Sequence, residues 1–109
     1  MRKLTAAETK IMRGKIAQAQ GMHCPLCNGD FREAKLVGKK RKPKLIQVLD
    51  HDHKTGVVRG VLCNNCNGME GQIMNRVNRA KRELTELEWL RNLLGYLETC
   101  EAAQSTLIY

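Results

Sequence analysis

Two pairs of cysteines, each with C-x-x-C spacing, flank a run of alternating aspartate and histidine. The pairs are Cys24 with Cys27 and Cys63 with Cys66, and the run between them is Asp50-His51-Asp52-His53. A C-x-x-C turn directs two thiolates at one point, and two such turns supply the four ligands that structural zinc prefers. The spacing therefore predicts one closed zinc site formed by all four cysteines, which would hold the intervening segment as one unit.

Other interpretations of the cysteines and histidines are weaker. A disulfide framework is the alternative to a metal site, but the odd cysteine count and the C-x-x-C spacing favour metal and a reducing compartment. His23 could replace one cysteine ligand, and His51 or His53 could add ligands, although four thiolates already complete a tetrahedral site. Cys100 is expected to be an ordinary thiol on a helix face.

Length and charge limit the classes of protein to consider. A chain of 109 residues predicts a single domain, 1–109, with a modest core. Its 19 Lys and Arg against 11 Asp and Glu give a net charge of +8, which is the electrostatic footprint of a nucleic-acid binder. Aromatic residues make up only 4%, so contact to a duplex backbone is favoured over base stacking. No apolar run approaches the ~20 residues of a membrane span, so a soluble protein with no membrane partner is expected.

One basic segment lies between the first cysteine pair and the Asp-His run. Its charged residues are Lys39, Lys40, Arg41, Lys42 and Lys44, interrupted by Pro43. The segment is interpreted either as a solvated loop or as a loop that contacts DNA phosphates.

Capping and alternation signals predict the elements that position the Asp-His run. Thr5 and Glu8 form a capping box for a helix over 5–20, which Gly21 ends. The runs 45–49 and 57–62 are typical of strands, and the Thr-Gly pair between them is turn chemistry, so they predict a β-hairpin.

The C-terminal part is predicted to form two helices, over about 67–81 and about 85–102. Thr85 and Glu88 form a second capping box. Leucines then recur at helical spacing beside Trp89, at positions Leu87, Leu90, Leu94 and Leu97. This stripe predicts a homodimer, with 83–104 as the dimerisation segment and 20–82 as the zinc-bound core. The alternative is that the stripe packs on the helix over 5–20.

A hairpin followed by a helix, with these polar residues, is the layout of a ββα-metal nuclease. Phosphodiester hydrolysis needs a base for water and a cation for the phosphate charge. Magnesium prefers oxygen ligands and keeps several waters, so the Asp50 carboxylate and the Asn67 amide can suffice. His51 is the natural base. Because adjacent strand residues point to opposite faces, Asp50 and His51 can share one site only if the strand ends there and the loop redirects them.

Two further alternatives apply to the same residues. Asp50 and Asp52 could open a calcium loop, but Val61 stands at the position where that loop needs a bidentate glutamate. Asn67 could be a helix N-cap, a role that does not exclude metal binding.

The string DHDHKTGVVRGVLCNNCNGMEGQ, preceded by HCPLC, resembles the bacteriophage recombination endonuclease VII family of HNH, or His-Me finger, nucleases. With the helical segment around Glu88-Trp89-Leu90, the resemblance covers roughly residues 5–100. It implies zinc on the four cysteines, magnesium on Asp50 and Asn67, His51 as general base, and further active-site positions at His53 and Glu70. It also implies an intertwined dimer that cuts Holliday junctions and other branched DNA, in the cytoplasm of a bacterial host.

Together these observations predict an α+β, mostly helical fold: a zinc-stapled ββα-metal core flanked by an N-terminal helix and C-terminal helices. The predicted function is a magnesium-dependent, structure-selective DNA endonuclease. The alternatives are an HNH nicking endonuclease acting on duplex DNA and a non-catalytic zinc DNA-binding protein. Asp50 and His51 with Asn67 favour an enzyme, since a binder needs no metal ligand paired with a base. The chain ends at Tyr109, whereas family members can carry a further C-terminal region, so the resemblance supports cleavage chemistry more strongly than junction specificity.

Overall fold

The computed structural model describes residues 3–32, 36–37, 40–41, 45–103 and 107–108. The fold is α+β, with about half of the chain in helices. In chain order the elements are α1 (Ala6–Ala19), β1 (Leu36–Val37), β2 (Lys40–Arg41), β3 (Gln47–His51), β4 (Val58–Cys63), α2 (Asn64–Ala80) and α3 (Glu86–Ala103). The chain forms two compact units, Met1–Met69 and Glu70–Tyr109. Within the described ranges, no helix combines the length and the apolar character needed to cross a membrane.

Helix α1 begins and ends where the capping signals predict. The Thr5 hydroxyl accepts a hydrogen bond from the Glu8 backbone N–H at 3.2 Å, and the Glu8 carboxylate accepts one from the Thr5 N–H at 3.1 Å. These reciprocal bonds satisfy two N–H groups that the first turn leaves without helical partners. At the other end Gly21 has φ of +77°, a left-handed conformation that favours glycine, and the helix stops.

Strands β3 and β4 form the predicted antiparallel hairpin. The turn between them is built by Asp52, whose carboxylate accepts hydrogen bonds from the backbone N–H groups of Lys54 at 2.8 Å and Thr55 at 2.9 Å. The N–H groups of Thr55 and then Lys54 lower the pKa of this carboxyl. Gly56, with φ of +77°, closes the turn by donating to the Asp52 carbonyl at 2.8 Å. Asp52 therefore shapes the loop with its side-chain carboxylate and its backbone carbonyl, a role that needs no calcium ion.

The core of the first unit is small and lies where α1 packs against β3 and β4. Its buried apolar side chains include Ala17 of α1, Phe31 of the following loop, and Val61 and Leu62 of β4. Burial on this scale contributes limited hydrophobic stabilisation, so the unit depends on additional links between its elements.

One such link is Gln20, the C-cap residue of α1. Its side-chain amide donates to the Val61 carbonyl at 2.8 Å and accepts from the Val61 N–H at 2.9 Å. The amide thus pairs with β4 as a neighbouring strand would, and it satisfies both polar groups of a fully buried residue.

The predicted start of α2 is wrong, because the helix begins at Asn64 rather than Asn67. Cys63 ends β4 directly before the helix, and its sulfur accepts the backbone N–H of Cys66 at 3.4 Å. This thiol takes the place of the hydroxyl or carboxylate that usually caps a helix. Asn67 consequently lies inside the first turns, and the interpretation of Asn67 as N-cap is wrong.

Helix α3 begins close to its predicted start. The predicted Thr85–Glu88 capping box is present, with hydrogen bonds of 3.1 and 3.2 Å.

Replacing Gln20 with alanine should destabilise the zinc-loaded protein by about 2 kcal/mol or more, because it leaves two buried backbone groups of Val61 without partners. Urea unfolding followed by circular dichroism measures this loss. Gln18→Ala, at an exposed position of α1, is the matched control and should change stability by less than about 0.5 kcal/mol. Equal stability of the two variants would show that the Gln20 bridge contributes nothing.

Candidate functional site

The four predicted zinc ligands converge. The sulfur atoms of Cys24, Cys27, Cys63 and Cys66 all lie within 4.8 Å of one another, and those of Cys27 and Cys63 are 3.9 Å apart. A tetrahedral site with Zn–S bonds of about 2.3 Å has sulfur–sulfur edges of about 3.8 Å. Four thiols with this spacing fit a metal ion, and the all-sulfur donor set suggests structural zinc.

The first cysteine pair lies on a tight turn made by the backbone. The N–H of Asn28, a residue with φ of +60°, donates to the Cys24 carbonyl at 2.7 Å. The Cys24 N–H donates to the Gly29 carbonyl at 2.9 Å, and the Gly29 N–H donates to the Cys27 sulfur at 3.4 Å. A Cβ at Gly29 would overlap the Cδ1 atom of Leu45 and press on the Cys27 sulfur, so a larger residue there would require the Leu45 side chain to move. The second pair joins two elements, because Cys63 ends β4 and Cys66 lies in the first turn of α2.

The thiols of the cluster differ in their affinity for protons. Burial raises the pKa of Cys24, but the backbone N–H groups of Cys27, Cys63 and Leu26 together outweigh it and lower this pKa to about 7. The pKa of Cys66 is raised to about 12, first by its hydrogen bond with Cys63 and then by burial. Since a metal binds thiolates, loading the cluster must release protons.

His23 is engaged elsewhere and is not needed as a fifth ligand. Its Nδ1 lies 2.6 Å from the Gly21 carbonyl, and its Nε2 lies 3.7 Å from an Asp30 carboxylate oxygen. In the part of the chain that the structure describes, the four cysteines are the one group of three or more Cys, His and carboxylate side chains that converge as metal ligands do. Cys100 lies on α3 with an exposed side chain, as expected.

The Asp-His run occupies the end of β3, and a β-bulge separates its first two residues. Asp50 pairs with Gly60, but His51 pairs with Val58, so Arg59 is an extra residue in β4. Asp50 and His51 were expected to share one site only if β3 ended at this point. Instead β3 continues through His51, and the bulge changes the register at this position. Asp50 is buried, with 7% of its surface exposed, and His51 is exposed.

Sequence reasoning missed the partner of Asp50. The Arg59 guanidinium donates to both carboxylate oxygens, at 2.9 and 3.0 Å. A single arginine in an otherwise apolar strand, opposite a carboxylate in the preceding strand, was the available signal. The bulge that makes the pairing possible has no such signal in the sequence.

The remaining predicted active-site residues lie on β3, its turn and α2. The rings of His51 and His53 have centroids 5.6 Å apart and are tilted by 59°. Asn67 is half-buried in α2, and Glu70 lies three residues further along the same side of that helix. Among the described residues, no hydrogen bond joins Asn67 directly to Asp50 or His51.

The predicted DNA-contacting run is described only in part. The backbones of Lys40 and Arg41 form β2, which pairs with β1. Lys39, Lys42 and Lys44 lie outside the described residues.

Comparison with known proteins identifies the family to which the chain belongs. The family model for recombination endonuclease VII matches residues 1–99. The chain belongs to the recombination endonuclease VII family. Membership points to a nuclease and agrees with the resemblance found from the sequence.

Two phage proteins are similar to part of the chain. A segment of 53 residues is 42% identical to the "Gene 59 protein" of Mycobacterium phage L5, covering 49% of this chain and 26% of that protein. A segment of 52 residues is 40% identical to the "Gene 59 protein" of Mycobacterium phage D29, covering 48% of this chain and 26% of that protein. The match therefore spans about a quarter of the length of each relative.

Replacing Cys63 with serine should unfold the protein and not only weaken its activity. The reason is that metal binding in small thiolate sites supplies on the order of 10 kcal/mol of folding free energy. Metal analysis of the wild type should give one zinc per chain. Circular dichroism of the variant should show loss of the folded signal, whereas Cys100→Ser should leave zinc content and melting unchanged. Well-folded wild-type protein containing no zinc would contradict the assignment.

Proposed function

We propose that this protein is a magnesium-dependent, structure-selective endodeoxyribonuclease of the HNH type, which hydrolyses phosphodiester bonds in branched DNA. Family membership supports the reaction class. The observation that carries the proposal is the placement of a buried carboxylate, Asp50, next to an exposed imidazole, His51, on a hairpin that ends in the four-cysteine cluster.

Asp50 and Asn67 are the proposed magnesium ligands, and their chemistry fits. Asp50 is a buried carboxylate that already has a cationic partner, so its surroundings tolerate a positive charge on both oxygens. The Asn67 amide supplies a neutral oxygen. Magnesium prefers such oxygen donors and retains several waters, so a set of two protein ligands suffices. When bound, the ion would neutralise charge on the phosphate and on the leaving oxygen.

His51 is proposed as the general base. Its imidazole is exposed, so it can reach a water molecule at a DNA backbone, and an imidazole changes protonation state near neutral pH. His53 lies beside it, and the resemblance implies active-site roles for His53 and for Glu70. Because Asp50 and His51 lie on one hairpin, a metal-bound phosphate and the base would be held in a fixed relative position, which favours attack by water.

Helix α3 supports the proposed homodimer. None of its residues is buried. Three leucines of the stripe are exposed, at 59% for Leu87, 59% for Leu94 and 53% for Leu97, and Leu90 is half-buried. A contiguous apolar surface on a soluble helix is typical of a protein interface. Two copies related by a two-fold axis would present two identical active sites, which matches the two equivalent strands of a four-way junction.

The basic run Lys39, Lys40, Arg41, Lys42 and Lys44 is proposed to hold phosphates along the DNA arms without reading bases. Binding of this kind weakens steeply with salt. In a plot of the logarithm of the binding constant against the logarithm of the salt concentration, each phosphate contact adds about −0.9 to the slope.

With magnesium, the zinc-loaded protein should make paired incisions in a four-way junction and weaker single nicks in a linear duplex of the same sequence. His51→Ala should retain zinc and junction binding but lose cleavage by about two orders of magnitude or more, the scale of a lost acid–base group. Asn67→Asp should also retain binding and lose cleavage, because it alters charge and water geometry at the magnesium site. Single-turnover cleavage assays on both substrates measure these rates.

His23→Ala is the control for the loss of an imidazole, and it should cut at close to the wild-type rate. If His51→Ala cut normally across the pH range, the base assignment would be wrong. If the wild type cut one duplex sequence strongly and ignored junctions, a site-specific nicking enzyme would replace the junction nuclease.

Light scattering should give the mass of two 12.4 kDa chains at micromolar concentration. Leu94→Glu places a charge in the leucine stripe and should shift the mass towards one chain without unfolding α3, since the side chain is exposed in the single chain. Thr99→Glu, away from the stripe on the same helix, should leave the dimer intact. A wild type that has the mass of one chain, with or without DNA, would reject the dimer.

A further inference from the structure

The ion pair between Arg59 and Asp50 is bidentate. The two bonds, at 2.9 and 3.0 Å, use two donors of the guanidinium fork and both carboxylate oxygens. The carboxylate side chain is 9% exposed, whereas the arginine side chain is 35% exposed. Charge-assisted bidentate pairs are stronger than single hydrogen bonds, and a carboxylate with so little access to water needs a partner.

The β-bulge is what brings Arg59 to Asp50. In a regular register Arg59 would lie opposite His51, but the bulge pairs His51 with Val58 and leaves Arg59 as the extra residue. A bulge redirects the side chain of the extra residue. The chain thus places one permanent positive charge on the carboxylate that the proposed function assigns to magnesium.

We propose that Arg59 is an exchangeable counter-ion of Asp50: it neutralises this carboxylate in the DNA-free protein, and it transfers to a DNA phosphate when a divalent cation takes Asp50. The inference rests on the proposed function, because it requires Asp50 to be a metal ligand. In this role Arg59 contacts first a protein carboxylate and then the substrate phosphate.

Repulsion between the divalent cation and the Arg59 guanidinium drives Arg59 from Asp50 to the phosphate. A divalent cation on Asp50 would be adjacent to the guanidinium, and like charges in a partly buried place repel strongly. A DNA phosphate removes the conflict, because its oxygens match the guanidinium fork as well as a carboxylate does. Arg59 is the more exposed partner of the pair, with 35% of its side chain exposed against 9% for Asp50, so it is the partner that DNA could reach. Metal and DNA should therefore bind cooperatively, each raising the affinity for the other by the same factor.

A purely structural ion pair gives a different expectation. Removing the Arg59 charge would free Asp50 for metal in either case, because the guanidinium and a cation compete for the same two oxygens. If Arg59 only held the hairpin in shape, the DNA phosphate would lose no partner, and cleavage at saturating metal would be unchanged. Metal affinity and cleavage at saturating metal, measured together, separate the two roles.

The experiment uses the zinc-loaded full chain and Mn²⁺ as the probe, with free Mn²⁺ measured by electron paramagnetic resonance. Mn²⁺ prefers oxygen ligands and does not compete for thiolates. Arg59→Gln should bind Mn²⁺ about tenfold more tightly than the wild type without DNA. The same variant should cleave a junction more slowly at saturating Mn²⁺, because the phosphate loses a partner. Tighter metal with slower cleavage is the expected signature.

The chain offers a matched control in Arg32, which forms an exposed bidentate pair with Asp30 through bonds of 3.2 and 3.1 Å. Arg32→Gln removes the same charge and the same kind of pair, and it should leave Mn²⁺ affinity unchanged. Arg59→Lys keeps the positive charge but lacks the forked guanidinium, and it replaces Arg59→Gln in the experiment if that variant fails to fold. It should raise Mn²⁺ affinity by a smaller factor, since lysine pairs with a carboxylate as a single point charge.

Two results overturn the inference in different ways. If Asp50→Asn abolishes Mn²⁺ binding and cleavage, but the Arg59 variants bind Mn²⁺ no more tightly than the wild type or cleave a junction at the wild-type rate at saturating Mn²⁺, Arg59 does not transfer to a phosphate and the proposed function stands. If Asp50→Asn binds Mn²⁺ and cleaves as the wild type does, Asp50 is not a metal ligand, and the proposed active site fails together with the inference.

Discussion

The convergence of four cysteine sulfurs is the constraint on which the rest of the first unit depends. The cluster joins the turn after α1 to the end of β4 and to the start of α2. The apolar core beside it is small, and Cys24 and Cys63 are themselves among its most buried residues. Hydrophobic burial alone gives a unit of this size little stability, so a metal on the thiols would supply both the folding free energy and the fixed geometry.

Strand β4 connects the cysteine cluster to the proposed active site. Cys63 anchors one end of the strand, and Gln20 holds its middle by pairing with Val61. With β4 held at both places, the bulge near Arg59 becomes a defined feature of the hairpin rather than a flexible defect, and it sets which side chains meet across the strands. The buried carboxylate, its arginine and the neighbouring exposed imidazole are thus consequences of how one strand is fixed. Chemistry that needs a metal ligand and a base in one place benefits from such a rigid support.

The local features of this fold could be predicted from sequence, because each depends on a few neighbouring residues. The capping boxes of α1 and α3, the hairpin and the two cysteine turns follow from residue types at fixed short spacing. The start of α2 could not be placed, since the cap is a cysteine sulfur whose orientation depends on the cluster. The Gln20 bridge and the pairing of Arg59 with Asp50 escaped prediction because they join distant residues. The pairing of Arg59 with Asp50 also depends on a one-residue shift in the register of the two strands. The family resemblance predicted a nuclease, whereas only the structure shows that Arg59 pairs with Asp50.

We propose that a zinc-held hairpin places a magnesium site at Asp50 and Asn67. The most direct test is a crystal structure of the zinc-loaded protein soaked with Mn²⁺, with anomalous maps recorded at the zinc and manganese absorption edges. The account predicts a zinc peak among the four cysteine sulfurs and a manganese peak that contacts Asp50 and Asn67. A manganese peak elsewhere, with Asp50 and Asn67 free of metal, would contradict it.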